Sequence, residues 1–137
     1  MKISQLLSVF LLATCSARTP QMISDGGQCE YKKYKGRAKI ISITKKTKPP
    51  RYSHEVFEVK FTFDSDQEIT ENFARTEGKE FVLLLNNSEY PGPKFLKKYN
   101  IRVGEVLECH MKVITKGTCT PIIFEFPTIK LDDYFEK

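Results

Sequence analysis

Tryptophan is absent, histidine occurs only as His54 and His110, and no apolar run approaches the ~20 residues that a spanning helix needs. Each shortage excludes something. Neither histidine stands at zinc-finger spacing from a cysteine, so no metal and no cofactor is expected. No glycine-rich phosphate loop and no nucleophile elbow occurs. Cys109 and His110 are adjacent, but neighbouring side chains on a strand point to opposite faces, which rules out a thiol–imidazole dyad and leaves His110 exposed. Asp64, Asp66 and Glu68 alternate through a polar segment, yet lack the turn glycine and distal glutamate of an EF-hand calcium loop. The expectation is a non-enzyme with no catalytic residues.

What is present is an ordinary globular balance. Charged residues make up 28% and hydrophobic residues 40% of 137 residues, enough for one domain and one core. Ten Phe and six Tyr suit strands better than helices.

The N-terminus has a leader pattern. Met1-Lys2-Ile3-Ser4 is followed by Leu6, Leu7, Val9, Phe10, Leu11, Leu12 and Ala13, the length of a secretory apolar region. Leu12-Ala13-Thr14-Cys15 then resembles the lipobox of bacterial prolipoproteins. Thr14 departs from that pattern, where Gly, Ala or Ser is usual, and a simple secretory cut after Cys15-Ser16-Ala17 competes with it. The resemblance implies a signal peptide over 1–14 and acylation of Cys15. Three acyl chains would anchor the chain firmly in a membrane. Ser16 after the cysteine resembles an outer-membrane address facing the periplasm; the alternative is a secreted or soluble periplasmic protein. Residues 15–28 then form a lipidated N-terminus and a flexible tether with Pro20, Gly26 and Gly27, and 29–137 a single β domain.

Within that domain the pattern predicts five strands and one short helix. Arg37–Thr44 is the first strand, and its adjacent Ile40 and Ile41 call for a bulge or for burial on both faces. Lys45–Tyr52 reads as a loop around Pro49-Pro50. Glu55–Asp64 alternates cleanly, with Phe57, Val59, Phe61 and Phe63 on one face. Asp64–Lys79 is acidic and without a clear period. Phe81–Leu85 reads as a strand covered on both faces. Lys94–Tyr99 suits a short helix, with Pro93 at its first position and Asn100 as a left-handed stop. Val103–Ile114 places Leu107, Cys109, Met111 and Val113 inward, with Glu108, His110 and Lys112 outward. Thr120–Phe126 is the last strand, and Leu131, Tyr134 and Phe135 fold back onto the body with Asp132, Asp133 and Glu136 outside. A helix between the third and fourth of five strands resembles the order of an OB-like barrel, with an antiparallel β-sandwich as the alternative.

With Cys15 acylated or removed, three cysteines remain. A tight hairpin about Lys116-Gly117 sets Cys119 opposite Ile114 and Cys109 opposite Phe124, so those two are not neighbours. The expected disulfide is Cys29–Cys119, and Cys109 is a buried free thiol.

The formal net charge of +5 gathers between Cys29 and Tyr52. Lys32, Lys33, Lys35, Arg37, Lys39, Lys45, Lys46, Lys48 and Arg51 lie there, interleaved with Tyr31, Tyr34 and Tyr52 and offset only by Glu30. Cations among aromatic rings suit an anionic polymer, an oligosaccharide or oligonucleotide. The competing reading is a solvated basic flank. The sequence therefore points to a small cell-envelope module that is structural or binds an envelope protein, an anionic lipid or a glycan, with nucleic acid the least favoured partner.

Overall fold

The computed structural model describes residues 22–25, 28–47, 54–134 and 136. The leader, Cys15, Lys48, Arg51, Tyr52 and Phe135 lie outside the described residues. The described chain is mostly β. Strands β1 (Met22–Asp25), β2 (Cys29–Lys46), β3 (Val56–Ser65), β4 (Phe81–Val82), β5 (Val106–Lys116) and β6 (Ile122–Glu125) are joined by one short helix, α1 (Pro93–Lys98), and a 3-10 turn at Asn72–Ala74. Five strands form one antiparallel sheet in the order β4-β3-β2-β5-β6, and β1 adds to the flank of β2. This is a curled half-barrel, consistent with the OB-like order, and α1 falls where the pattern placed it.

The long central strand carries the curl. β2 runs 18 residues, beginning eight before the predicted start, and serves two partners in succession. Its first half pairs with β5 and its second half with β3, overlapping through Gly36–Lys39. The register with β3 slips between Ile40 and Ser42, so Ile41 is the bulged residue. Such a bulge bends the strand and lets Ile40 stay fully buried while Ile41 turns only partly inward. Gly36 makes a second close approach: a methyl group there would lie 2.0 Å from the Asp64 carbonyl oxygen. Only glycine admits that contact between neighbouring backbones.

The core gathers on the concave face. Ala38, Ile40, Val59, Phe61, Cys109, Met111 and Val113 come from the three central strands, and Phe95 caps them from α1. No β4–β6 ladder occurs among the described residues, and side chains close that seam instead. Phe81 of β4 lies 4.7 Å, centroid to centroid, from Phe124 of β6, and Phe124 sits edge-on to Phe61 at 5.1 Å. Aromatic quadrupoles favour these offset geometries.

Several expectations need correction. The segment read as a tether contributes β1, which pairs with Cys29–Lys32. Phe81–Leu85 is not covered on both faces: Phe81, Leu83 and Leu85 turn inward, while Val82 and Leu84 are exposed on the edge. The final hairpin is wider than a tight turn at Lys116-Gly117. Val113 faces Ile122 and Met111 faces Phe124, because the chain swings out to carry Cys119 to Cys29 before Ile114 N–H donates to the Pro121 carbonyl. The C-terminal segment does fold back, with Leu131 and Tyr134 packed against the core. Two of its acids are not outside, however. Glu136 accepts from the Phe95 backbone N–H at 2.6 Å, and Asp133 accepts from the Tyr99 hydroxyl at 2.6 Å and from Lys98.

Candidate functional site

The basic run between Cys29 and Tyr52 is the first candidate, and the fold separates its members. Tyr31 and Tyr34 are 1% and 0% exposed, so neither ring can stack on a ligand. Tyr34 stands across from Met111 and joins the core, whereas Tyr31, three residues earlier in the same register, lies on the opposite face of β2 beneath Lys112. Their hydroxyls are held within the protein. Tyr31 donates to the Thr120 carbonyl at 2.8 Å, and Tyr34 donates to Glu71 at 2.6 Å.

Most of the lysines meet carboxylates from neighbouring segments. Lys32 pairs with Glu71 at 3.7 Å, Lys33 with Glu125 at 3.9 Å, Lys45 with Glu55 at 2.8 Å and Lys46 with Glu58 at 3.6 Å. Partly exposed ion pairs of this kind stabilise a fold modestly. Lys35, Arg37 and Lys39 differ. They alternate along the outer face of β2, exposed, and make no ion pair among the described residues. Asp64 and Glu108 stand directly across from Arg37 on the two adjacent strands. The five surplus cations of the chain are Lys2, Arg18, Lys48, Arg51 and Lys137, all outside the described residues, so the described body carries no net charge.

The cysteines stand as spacing and strand geometry predicted. Cys29 and Cys119 form a disulfide, and Cys109 is a buried free thiol. Burial pushes the Cys109 thiol up to about 12, which keeps it protonated and a poor nucleophile at neutral pH. His110, expected to be exposed, is largely covered on the outer face, its side chain 12% exposed and its Nε2 3.4 Å from Glu108. Lys112, expected to be outward, is 8% exposed; Glu125 holds it at 3.0 Å and it lies over the Tyr31 ring. Pairing and the apolar stem of the lysine make that burial tolerable.

Sequence reasoning missed a hollow of about 360 Å³ at the far end of β3. Asp64, Asp66, Glu68 and Glu77 line it with Arg75 and Thr76, and Phe63 and Ile69 supply apolar wall. Asp66 N–H donates to the Lys35 carbonyl and Gln67 N–H to the Ser65 hydroxyl, which turns the chain away from the sheet and fans the acids outward. None of the four acids makes an ion pair among the described residues, which also hold no metal-ligating cluster of three or more such groups. The signal for this hollow lay in the acidic Asp64–Lys79 run, whose mate in space no local pattern reveals. A second hollow, of about 320 Å³, lies between β2 and β5 beside Lys35, Arg37, Val106 and His110. No described helix is long and apolar enough to cross a membrane. Comparison of the chain with protein-family models, with curated proteins and with solved structures gave no match.

Proposed function

We propose that the chain is a small cell-envelope lipoprotein whose β domain is a non-catalytic binding or structural module. In this reading Cys15 carries the acyl chains and holds the domain on the outer membrane, facing the periplasm. The observation that carries it is the Cys29–Cys119 disulfide, whose partners lie 90 residues apart. A cross-link of that span suits an oxidising compartment, in agreement with the lipobox-like Leu12-Ala13-Thr14-Cys15. The non-catalytic part is supported by the chemistry of the described residues: the free thiol is protonated in the core, and the histidine beside it rests against Glu108.

Fractionation and intact mass of the native protein test this reading together. The expected product begins at an acylated Cys15 and partitions with membranes, and Cys15→Ala moves it to the soluble fraction. A native product that keeps Met1 and shows reduced thiols in the cytosol would end it.

A second reading, an OB-type domain that binds an anionic polymer, rests on Lys35, Arg37 and Lys39. Alternate residues on a strand repeat every ~6.8 Å, a spacing that can follow a linear polyanion. Replacing all three by Gln is expected to cut affinity for an anionic oligosaccharide and to shrink its log–log salt slope by about two to three. An unchanged slope would remove this reading, as would binding that ignores salt.

A further inference from the structure

We infer that Asn86 is an N-glycosylation site, and that its glycan covers the exposed edge of β4. The inference rests on the export in the reading above and is independent of the acyl anchor, because either cut of the leader delivers the same residue to the transferase. Asn86-Asn87-Ser88 is an Asn-x-Ser acceptor with no proline at its middle position. Among Asn72, Asn86, Asn87 and Asn100, only Asn86 has a Ser or Thr two residues on. The reaction is a substitution at an anomeric carbon. The side-chain amide nitrogen of Asn86 bonds to the first sugar of a polyprenyl-pyrophosphate-linked oligosaccharide. The bond from that carbon to the pyrophosphate breaks, and the amide gives one proton to a base on the transferase. Nothing is oxidised or reduced, and the chain supplies only the acceptor.

The fold presents this acceptor at the tip of a turn. Leu85 N–H donates to the Glu89 carbonyl and Ser88 N–H to the Leu85 carbonyl, both at 2.9 Å, with Asn86, Asn87 and Ser88 exposed between them. The turn is held without the two side chains the transferase needs. Asn87 Oδ1 accepts the Glu89 N–H at 3.0 Å, and the Leu131 carbonyl accepts the Asn86 backbone N–H at 2.9 Å. The Asn86 side-chain amide and the Ser88 hydroxyl bond to no described residue, so a glycan there displaces no contact of the fold. The edge gives an independent sign. β4 ends the sheet, and Val82, Leu84 and Asn86 alternate outward while Leu83 and Leu85 are buried. Val82 is 39% and Leu84 37% exposed. An uncovered apolar edge is a template for pairing with another chain. A bulky, hydrophilic glycan two residues beyond Leu84, on the same side of the segment, blocks that approach.

The test is mass analysis of the native protein before and after peptide N-glycosidase treatment in heavy-oxygen water. The expected protein is heavier than its sequence by a glycan that the treatment removes, with Asn86 converted to a heavy-oxygen-labelled aspartate in the peptide map. A bare Asn86 in the native protein would overturn the inference. In a host that carries an oligosaccharyltransferase, Asn86→Gln and Ser88→Gly are each expected to lose the whole glycan mass. Ser88 has a φ of 65°, a backbone that glycine adopts readily, so the loss in Ser88→Gly reports the missing hydroxyl rather than a spoiled turn. A glycan that persists on Ser88→Gly would overturn the assignment to this acceptor. The enzymatically stripped protein is expected to sediment as larger species than the glycosylated one; equal sedimentation would overturn the covering of the β4 edge. An acylated Cys15 with a bare Asn86 keeps the lipoprotein and loses this site. A glycan on a chain cut after the leader and free of acyl groups keeps this site and loses the anchor.

Discussion

Tyr34 shows how one side chain can change role between sequence and fold. Among Lys32, Lys33 and Lys35 it reads as a stacking ring; in the structure it is the post to which the acidic segment is tied. Its hydroxyl donates to Glu71 and accepts from the Thr70 backbone N–H at 3.3 Å, and Lys32 reaches Thr70 Oγ1 at 3.2 Å while lying over the tyrosine ring. Burial pushes the Glu71 carboxyl up, but the Tyr34 hydroxyl, a backbone N–H and the Lys32 charge together outweigh it and hold its pKa below the ordinary value. A carboxyl depressed by folding stabilises fully above its unfolded pKa of about 4.3, and that contribution is lost as pH falls through the folded value. Thermal melts from pH 7 to pH 3 should therefore show a falling Tm. Glu71→Gln should start lower at pH 7, by about 1–2 kcal/mol, and fall less steeply. Parallel profiles for the two proteins would mean that Glu71 is not the titrating latch.

At the scale of the element, β6 is four residues long and among the described residues pairs with β5 alone, so its other edge relies on side chains. Phe124 meets Phe61, Phe63 and Phe81 with ring centroids 5.1, 5.5 and 4.7 Å away. Phe124→Ala removes all three contacts and opens a void at the seam. The expected cost is about 3 kcal/mol, measured by urea denaturation, with β6 amides exchanging faster than those of β2. A loss below about 1 kcal/mol would show that the seam repacks. The existence of this strand was legible in Ile122, Phe124 and Phe126. The width of the hairpin before it was not, because the detour is set by a disulfide partner some ninety residues away.

Over the whole molecule, the disulfide ties the start of β2 to the loop before β6, so most of the domain lies inside one closed ring. The chain-entropy model gives about 4–5 kcal/mol for such a loop. The double variant Cys29→Ala, Cys119→Ala should lose about that much in equilibrium denaturation while Cys109 stays unreactive to thiol reagents until unfolding. A native-state reaction of Cys109 would contradict its burial at 0% exposure. Electrostatics belongs to this scale as well. The sequence reads as a basic run followed by an acidic one, but folding brings Glu55, Glu58, Glu71 and Glu125 within reach of Lys45, Lys46, Lys32 and Lys33.

Local chemistry was enough for what local chemistry controls. The period-two runs around Phe61 and Met111, the proline start and asparagine stop of α1, and the pairing of Cys29 with Cys119 were all readable in the chain itself, while Ile40 and Ile41 left a bulge and burial on both faces open until the register showed the bulge. They depend on backbone sterics, on alternation and on which positions a strand can bring together. Only the tertiary structure decided which charges remain unanswered and which tyrosines are core. Both follow from register between segments distant in sequence: a slip of one residue exchanges the two faces of a strand, and a carboxylate counts for a lysine only within a few ångströms.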